Sequence, residues 1–271
     1  MLVCTLGDLT LDVVVRLAAP IAAGGDTDAE IRVGPGGQAA NVAAWASELG
    51  APARFIGKTG ADDAGVLVRG RLAGFGVEIR GPIVGRNGTI CSLVSPEGER
   101  SMAADRGTAR DLGPDEIEPP WLAGCTHLHV SGYALVVEPV RSAALRAVEL
   151  ARDEGARVSL DLASWSAIRD GGVDAFREAA HALRPDVVFA NEDEERIVGR
   201  LDATWILKRG AAGCSFDGEV RAAHPVGRVV DSTGAGDALA AGWIVGGPDL
   251  ALEAAARCIE HLGAMPVASP A

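Results

Sequence analysis

The stretch that decides the fold is residues 126–161, THLHVSGYALVVEPVRSAALRAVELARDEGARVSLD. Residues 127–131 and 157–161 are short apolar runs of the kind that form buried strands, and residues 140–153 between them have the apolar spacing of a helix. A strand, a helix and a second strand in this order predict two parallel strands joined by a right-handed crossover. The sequence therefore predicts a parallel β-sheet in this region.

The same alternation continues on both sides of this unit. The further predicted elements are strands at residues 2–6, 54–57, 187–190 and 204–208 and helices near 173–183 and from 192. Parallel sheets bind their ligands at the carboxyl ends of the strands. We expect the functional site at that edge, where the sequence places Gly132, Asp161, Asn191 and the loop after Lys208.

Two β-rich segments interrupt the alternation. Apolar runs at residues 13–17 and 30–33 form the first segment, and runs at 77–79, 89–94 and 100–103 form the second. Because these runs lie outside the strand–helix rhythm, we expect them to form a small accessory sheet.

The composition is that of an acidic globular protein. The 271 residues carry a formal net charge of −12, with 48% hydrophobic and 23% charged residues, and fit one large domain with an appendage or two small domains. The absence of clustered Lys and Arg argues against nucleic-acid binding. The five cysteines occur singly, as in a reducing cytosol, and no apolar run reaches the ~20 residues that span a bilayer. We expect a cytoplasmic protein that binds neither nucleic acid nor membrane.

The most informative motif is DSTGAGD at residues 231–237, between an apolar run and a helix-like segment. Two glycines before a helix leave backbone N–H groups free to bind an anion, and the helix dipole adds positive charge. Asp237 follows directly and has the position of a base beside a bound phosphate. The motif is also compatible with a tight turn in which the aspartate only caps the helix.

Two further motifs allow both a binding and a structural interpretation. In GPGGQAANVA, residues 34–43, the glycines permit close approach of a ligand and Asn41 offers a hydrogen-bond donor and acceptor; the small residues are equally suited to close packing. This segment lies too far from the first strand to be a dinucleotide fingerprint. In NEDE, residues 191–194, the acids are suited either to helix capping or to Mg²⁺ binding.

With these motifs in order, the chain resembles the ribokinase-like (PfkB) family of carbohydrate and nucleoside kinases. The resemblance rests on residues 36–43, 191–194 and 231–237, together with shorter similarities at 98–100 and 208–213. It implies an α/β fold, a three-layer αβα sandwich with a small β-sheet lid. It also implies a single kinase domain over residues 1–271, with lid strands from about 11–34 and 82–106.

The resemblance also implies roles for individual residues. Asp237 would be the catalytic base, assisted by the amides of the residues before it. Substrate hydroxyls, nucleotide and metal ions would be held by the residues around it. The implied catalytic residues are Asp237, Gly234, Ala235 and Gly236; the substrate-binding residues are Asp12, Gly36, Gly37 and Asn41; the nucleotide-binding residues are Asn191, Lys208, Gly210, Gly213 and Thr233; the metal-binding residues are Glu194, for water-mediated Mg²⁺, and Asp231, for a monovalent cation such as K⁺.

The implied activity is transfer of phosphate from ATP, with Mg²⁺, to a primary hydroxyl of a sugar or sugar-like substrate. A nucleoside kinase is the alternative. Aromatic residues on the lid that stack on a purine would favour it, but the single tyrosine, Tyr133, and five phenylalanines leave few candidates. A non-catalytic sugar- or nucleotide-binding relative is a third interpretation. The lid would offer a face for a homodimer. The chain departs from the family at residues 161–164, DLAS, which lack the Asp-Pro-Asn pattern of many sugar kinases, and it is shorter than usual.

Overall fold

The computed structural model describes residues 1–96 and 100–267. Its larger sheet has nine strands in the order β13-β12-β11-β10-β9-β8-β1-β4-β5, parallel except for β12 and β13. Most of the segment 98–100, which contributes to the family resemblance, lies outside the described residues. The strands of the larger sheet are β1 (Val3–Leu6), β4 (Ala53–Ile56), β5 (Glu78–Arg80), β8 (His127–Ser131), β9 (Arg157–Asp161), β10 (Val187–Asn191), β11 (Thr204–Lys208), β12 (Cys214–Phe216) and β13 (Glu219–Arg221).

Helices cover both faces of this sheet because successive strand residues point to opposite sides. In β10, Val188 packs in the cluster under α3 and α5, whereas Phe189 packs in the cluster under α1, α7 and α8. Both faces are therefore dry, and the architecture has three layers. The helices are α1 (Gln38–Glu48), α2 (Asp63–Gly74), α3 (Val140–Asp153), α4 (Trp165–Gly171), α5 (Val173–Leu183), α6 (Glu192–Val198), α7 (Ala235–Gly246) and α8 (Pro248–Ile259).

A separate four-stranded sheet, the small sheet, has the order β3-β2-β6-β7. Its strands are β2 (Thr10–Leu17), β3 (Ala29–Gly36), β6 (Asn87–Val94) and β7 (Arg100–Gly107). The two β-rich interruptions of the sequence thus meet in one sheet, with β2 and β6 pairing in parallel. One expected member is wrong: the run at 77–79 contributes to β5, which pairs with β4 at the edge of the larger sheet.

The parallel register aligns the polar strand ends. Asp161 at the end of β9 lies opposite Ser131 of β8, and Asn191 at the end of β10 lies opposite Lys208 of β11. Gly37 connects β3 of the small sheet to α1. Side chains distant in sequence therefore converge at one edge of the sheet. None of the described helices is long and apolar enough to cross a membrane.

Candidate active site

The anion cradle expected at residues 231–237 is the start of α7. Gly234 caps this helix in a left-handed conformation (φ 80°), and a Cβ at this position would lie 2.5 Å from the Cβ of Ala264. Only glycine fits such a turn without displacing its neighbour. The first amides of the helix have no intrahelical acceptor and point beyond its N-terminus, where the helix dipole is positive. The turn can therefore bind a phosphate oxygen.

Asp237 lies in the first turn of α7 and contacts α1. Its Oδ2 accepts a hydrogen bond from Asn41 Nδ2 at 2.7 Å. Burial raises the pKa of Asp237 to about 7; the hydrogen bond from Asn41 opposes this shift, and the negative charge of Asp161 adds to it. A carboxyl group that titrates near neutral pH can accept a proton during reaction and release it afterwards.

The side-chain oxygen of Asn41 is positioned to accept a further hydrogen bond. It is 4% exposed, and its Oδ1 has no hydrogen-bond partner among the described residues. A buried amide oxygen without a donor costs free energy, on the order of 1–3 kcal/mol. A ligand hydroxyl that donates to Oδ1 would remove this cost.

Lys208 provides positive charge beside the cradle. Its Nζ donates to both oxygens of Asp161, at 2.8 and 3.0 Å. A Cβ at Gly236 would lie 3.4 Å from this nitrogen, so Lys208 and the helix start are immediate neighbours. Burial favours a lower pKa for Lys208, but the charges of Asp161 and Glu194 outweigh it and raise that pKa above its usual value. The ammonium therefore stays charged.

The acidic motif at 191–194 forms a capping box. Asn191 Oδ1 accepts from the Glu194 backbone N–H, and Glu194 Oε2 accepts from the Asn191 backbone N–H, both at 2.9 Å. The capping interpretation of this motif is thus correct. Both residues also line the cavity described below. Glu194 is 2% exposed, and burial raises its pKa.

The suitability of this region for Mg²⁺ follows from its donors. Among residues 1–96 and 100–267, no three His, Cys, Asp or Glu side chains are grouped to hold a metal. Mg²⁺ usually keeps several waters and needs only one or two carboxylates beside substrate phosphates. Glu194 and Asn191 are suited to such a water-mediated site.

The cavity, of about 860 Å³, lies between the small sheet and the carboxyl edge of the larger sheet. On the side of the small sheet, Asp12 Oδ1 accepts from Thr10 Oγ1 at 2.7 Å. At Gly37 (φ 98°) a side chain would overlap the carbonyl of Asp8, so this residue must be glycine. The expected site residues that line the cavity are Asp12, Gly37, Asn41, Asn191, Glu194, Lys208, Gly210, Thr233, Gly234, Gly236 and Asp237.

Four expected site residues do not line this cavity: Gly36, Ala235, Gly213 and Asp231. Asp231 instead holds the loop before α7. Its Oδ1 accepts from the amide and the hydroxyl of Thr233 at 2.9 and 2.6 Å, and its Oδ2 accepts from the Gly263 amide at 3.0 Å. Both carboxylate oxygens are therefore used within the protein.

The sequence interpretation missed several cavity residues. Arg106 lies on β7, forms an ion pair with Asp8 and stacks on the Tyr133 ring, 3.6 Å from its centroid. Arg110 follows β7 at the cavity rim. Asp8 and Arg106 are 98 positions apart, and no local pattern announces such a pair. The start of α4, which follows the segment 161–164 that differs from the family pattern, forms another wall of the cavity.

A family model described as "pfkB family carbohydrate kinase" matches residues 2–269. The chain belongs to this family. Among PfkB relatives, it is 33% identical to an ATP-dependent ribose-1-phosphate kinase from Halopiger xanaduensis, over 94% of this chain and 90% of the relative. It is 30% identical to a fructokinase from Solanum tuberosum (75% and 68% covered) and 31% identical to a 5-dehydro-2-deoxygluconokinase from Bacillus velezensis (78% and 72% covered).

Solved structures of other kinases share the fold. The adenosine kinase of Sinorhizobium meliloti superimposes with a TM-score of 0.85 at 24% identity, covering 98% of this chain and 96% of that one. A putative ribokinase II from E. coli, solved with ATP and Mg²⁺, gives 0.81 at 24% identity, covering 97% and 94%. The expected family, the α/β fold with a separate small sheet and the carbohydrate kinase activity are thereby confirmed.

Proposed function

We propose that this PfkB protein transfers the γ-phosphate of ATP to a hydroxyl, a primary one, of a sugar or sugar-like substrate. The observation that carries the proposal is the position of Asp237. Its carboxyl group, with a pKa of about 7, stands in the first turn of α7 directly beside the amide cradle. A base and an anion site in contact are the two elements that phosphoryl transfer to an alcohol requires.

The geometry supports a direct in-line transfer. The substrate hydroxyl would donate to Asp237 at its Oδ1, since Oδ2 is held by Asn41. As the hydroxyl oxygen forms its bond to the γ-phosphorus, the bond from phosphorus to ADP breaks and Asp237 takes the proton. The amides at Gly236 and Asp237, together with Lys208, stabilise the charge that develops on the phosphate oxygens.

The remaining cavity residues would hold the two substrates. Lys208, Gly210 and Thr233 would contact the nucleotide, and Asp12 and Asn41 would bind sugar hydroxyls. Asn191 and Glu194 would hold Mg²⁺ through water, and the metal supplies positive charge to the phosphates when bound. Closure of the small sheet over the cavity would exclude water that otherwise hydrolyses ATP.

A nucleoside is the second candidate acceptor. The similarity to the S. meliloti adenosine kinase and the presence of Tyr133 in the cavity favour it. One face of the Tyr133 ring is already covered by Arg106, so only the other face is available for a base. ATP consumption measured over sugars and nucleosides distinguishes the two acceptors. If ATP is not consumed with any sugar or nucleoside, the protein would be the non-catalytic relative.

Other features remain predictions. We propose a monovalent cation such as K⁺ near Asp231, held largely by backbone carbonyls because the carboxylate itself is occupied; activity in KCl against NaCl tests it. We also propose a homodimer through the small sheet, on which Ile31 and Val33 of β3 are exposed; sedimentation tests it. The five free cysteines agree with a cytoplasmic location.

The test of the activity is Asp237→Asn. Loss of the general base should lower kcat by roughly 10²–10⁴ without loss of the fold. Asp186→Asn is the matched control, because Asp186 is a half-buried carboxylate at the opposite edge of the sheet, paired with Arg152. Near wild-type turnover of Asp237→Asn, with a transition in thermal unfolding that stays cooperative, would refute the assignment.

A further inference from the structure

Two arginines line the cavity on the side of the small sheet, where the acceptor substrate would lie, and the proposed function does not use them. The positively charged side chains that line this cavity, among the described residues, are Lys208, Arg106 and Arg110. Lys208 stands beside the phosphate cradle and is paired with Asp161. Arg106 and Arg110 lie instead at the end of β7 and in the turn after it, on the side of the small sheet.

Arg106 is fixed in place. Its guanidinium forms an ion pair with Asp8 and stacks on the ring of Tyr133, and its side chain is 13% exposed. A guanidinium has five N–H donors in a planar fork, so a single carboxylate partner does not exhaust it. Because it is held on two sides, Arg106 can offer donors to the cavity with little further loss of conformational entropy.

Arg110, unlike Arg106, is not held by a carboxylate of the described residues. It is exposed at the rim and forms no salt bridge with any residue of the described ranges. Asp105, whose carboxylate interacts electrostatically with Arg110, is held by Arg86 at 2.7 Å. Most arginines of this acidic chain pair with carboxylates, and the chain has 37 acids against 25 bases. An arginine left unpaired beside a cavity is therefore available to an anion that enters it.

We propose that the acceptor is an anionic sugar, whose phosphate or carboxylate group is bound by Arg110 and Arg106 while its hydroxyl lies at Asp237. This inference rests on the proposed function and narrows its substrate class. The shared chemistry is an oxyanion that accepts paired N–H bonds from guanidinium groups. The relatives do not decide the question, because two are named for anionic sugars, ribose-1-phosphate and 5-dehydro-2-deoxygluconate, and one is named for fructose.

The experiment compares kcat and KM for five acceptors: ribose-1-phosphate, 5-dehydro-2-deoxygluconate, ribose, fructose and adenosine. The wild-type protein should prefer one of the two anions over every neutral acceptor by about 100-fold or more in kcat/KM. Preference for ribose-1-phosphate identifies the group as a phosphate, and preference for 5-dehydro-2-deoxygluconate identifies it as a carboxylate. Preference for a neutral acceptor overturns the inference and leaves the proposed kinase function intact.

Arg110→Gln tests the residue itself. It should raise KM for the preferred anion about 10- to 100-fold with little change in kcat, as expected for loss of a charge-assisted contact remote from the reacting atoms. Its kcat/KM for ribose should stay within about twofold. Arg32→Gln is the matched control, since Arg32 lies on β3 of the small sheet, does not line this cavity and is paired with Glu30. Equal losses for anionic and neutral acceptors in Arg110→Gln, or phosphate transfer to none of the five, contradict the inference.

Discussion

Asp237→Asn should make the protein more stable at alkaline pH while it removes activity. The carboxyl group has an ordinary pKa of 3.8, which applies in the unfolded chain, and burial raises it to about 7 in the folded protein. Between these values the folded protein keeps a proton that the unfolded chain has lost. The contribution of Asp237 to stability is therefore complete below about pH 4 and is lost as the pH rises to about 7.

The size of the effect follows from the shift. A difference of about three pKa units, at 1.36 kcal/mol each, corresponds to about 4 kcal/mol over the whole range. The part that falls between pH 5 and pH 8 is about 2–3 kcal/mol. Asparagine has no such titration. The difference in unfolding free energy, variant minus wild type, should therefore be larger at pH 8 than at pH 5 by about 2–3 kcal/mol.

Urea unfolding at the two pH values, with the slope m checked for constancy, measures this difference. Asp237→Ala is the matched variant. It also loses the hydrogen bond to Asn41, so its absolute stability should be lower, but its dependence on pH should equal that of Asp237→Asn. A difference that is the same at pH 5 and pH 8, or one that shrinks as the pH rises, would show that the pKa of Asp237 is not held near 7. It would also remove the electrostatic basis for the proposed role of Asp237 as base.

Two further substitutions act on the same carboxyl group. Asn41→Leu should shift the acid limb of the pH profile of kcat/KM upward by about one to two pH units, because the Asn41 amide donates the hydrogen bond that lowers the pKa of Asp237. Gln38→Leu is the control, since Gln38 lies on the same helix and lines the same cavity, and it should leave the acid limb in place. An acid limb that does not move in Asn41→Leu would contradict the effect of this hydrogen bond. Lys208→Met should shift the same acid limb to higher pH and lower kcat by about 10²–10³, since it removes the positive charge beside the cradle. Steady-state kinetics at several pH values measure both effects, and a change in KM alone would contradict the prediction.

The motifs could be placed from the sequence because parallel sheets collect their ligands at one edge. The strand–helix alternation from residue 126 predicted that Asn191 and Lys208 lie at the carboxyl ends of parallel strands, and the register places them opposite each other. The contacts that shape the acceptor side could not be placed in this way. Arg106 meets Asp8 across 98 positions and two sheets, and neither residue differs locally from a surface charge.

The assignment of strands to sheets was the second feature that the sequence could not predict. The run at 77–79 has the same alternation as the runs of the small sheet, and nothing in its own residues distinguishes an edge strand of one sheet from a member of the other. Its place is decided by α2, which crosses the larger sheet and returns the chain beside β4. Local pattern thus predicts that a strand forms, while the connection before it determines which sheet it joins.

The segment at residues 161–164 shares Asp161 with the family pattern, and the structure gives this residue a role beside Lys208. Asp161 keeps the acid that begins the usual Asp-Pro-Asn pattern, and it holds the Lys208 ammonium while its Oδ1 also accepts from the Ala163 amide at 2.9 Å. One lysine then faces the carboxyl groups of Asp161, Glu194 and Asp237. Burial is the main cause of the raised pKa of Asp237, and the negative charge of Asp161 adds to it. The same negative charge would oppose entry of a triphosphate. The proposed Mg²⁺ would offset this repulsion between the site and the nucleotide phosphates.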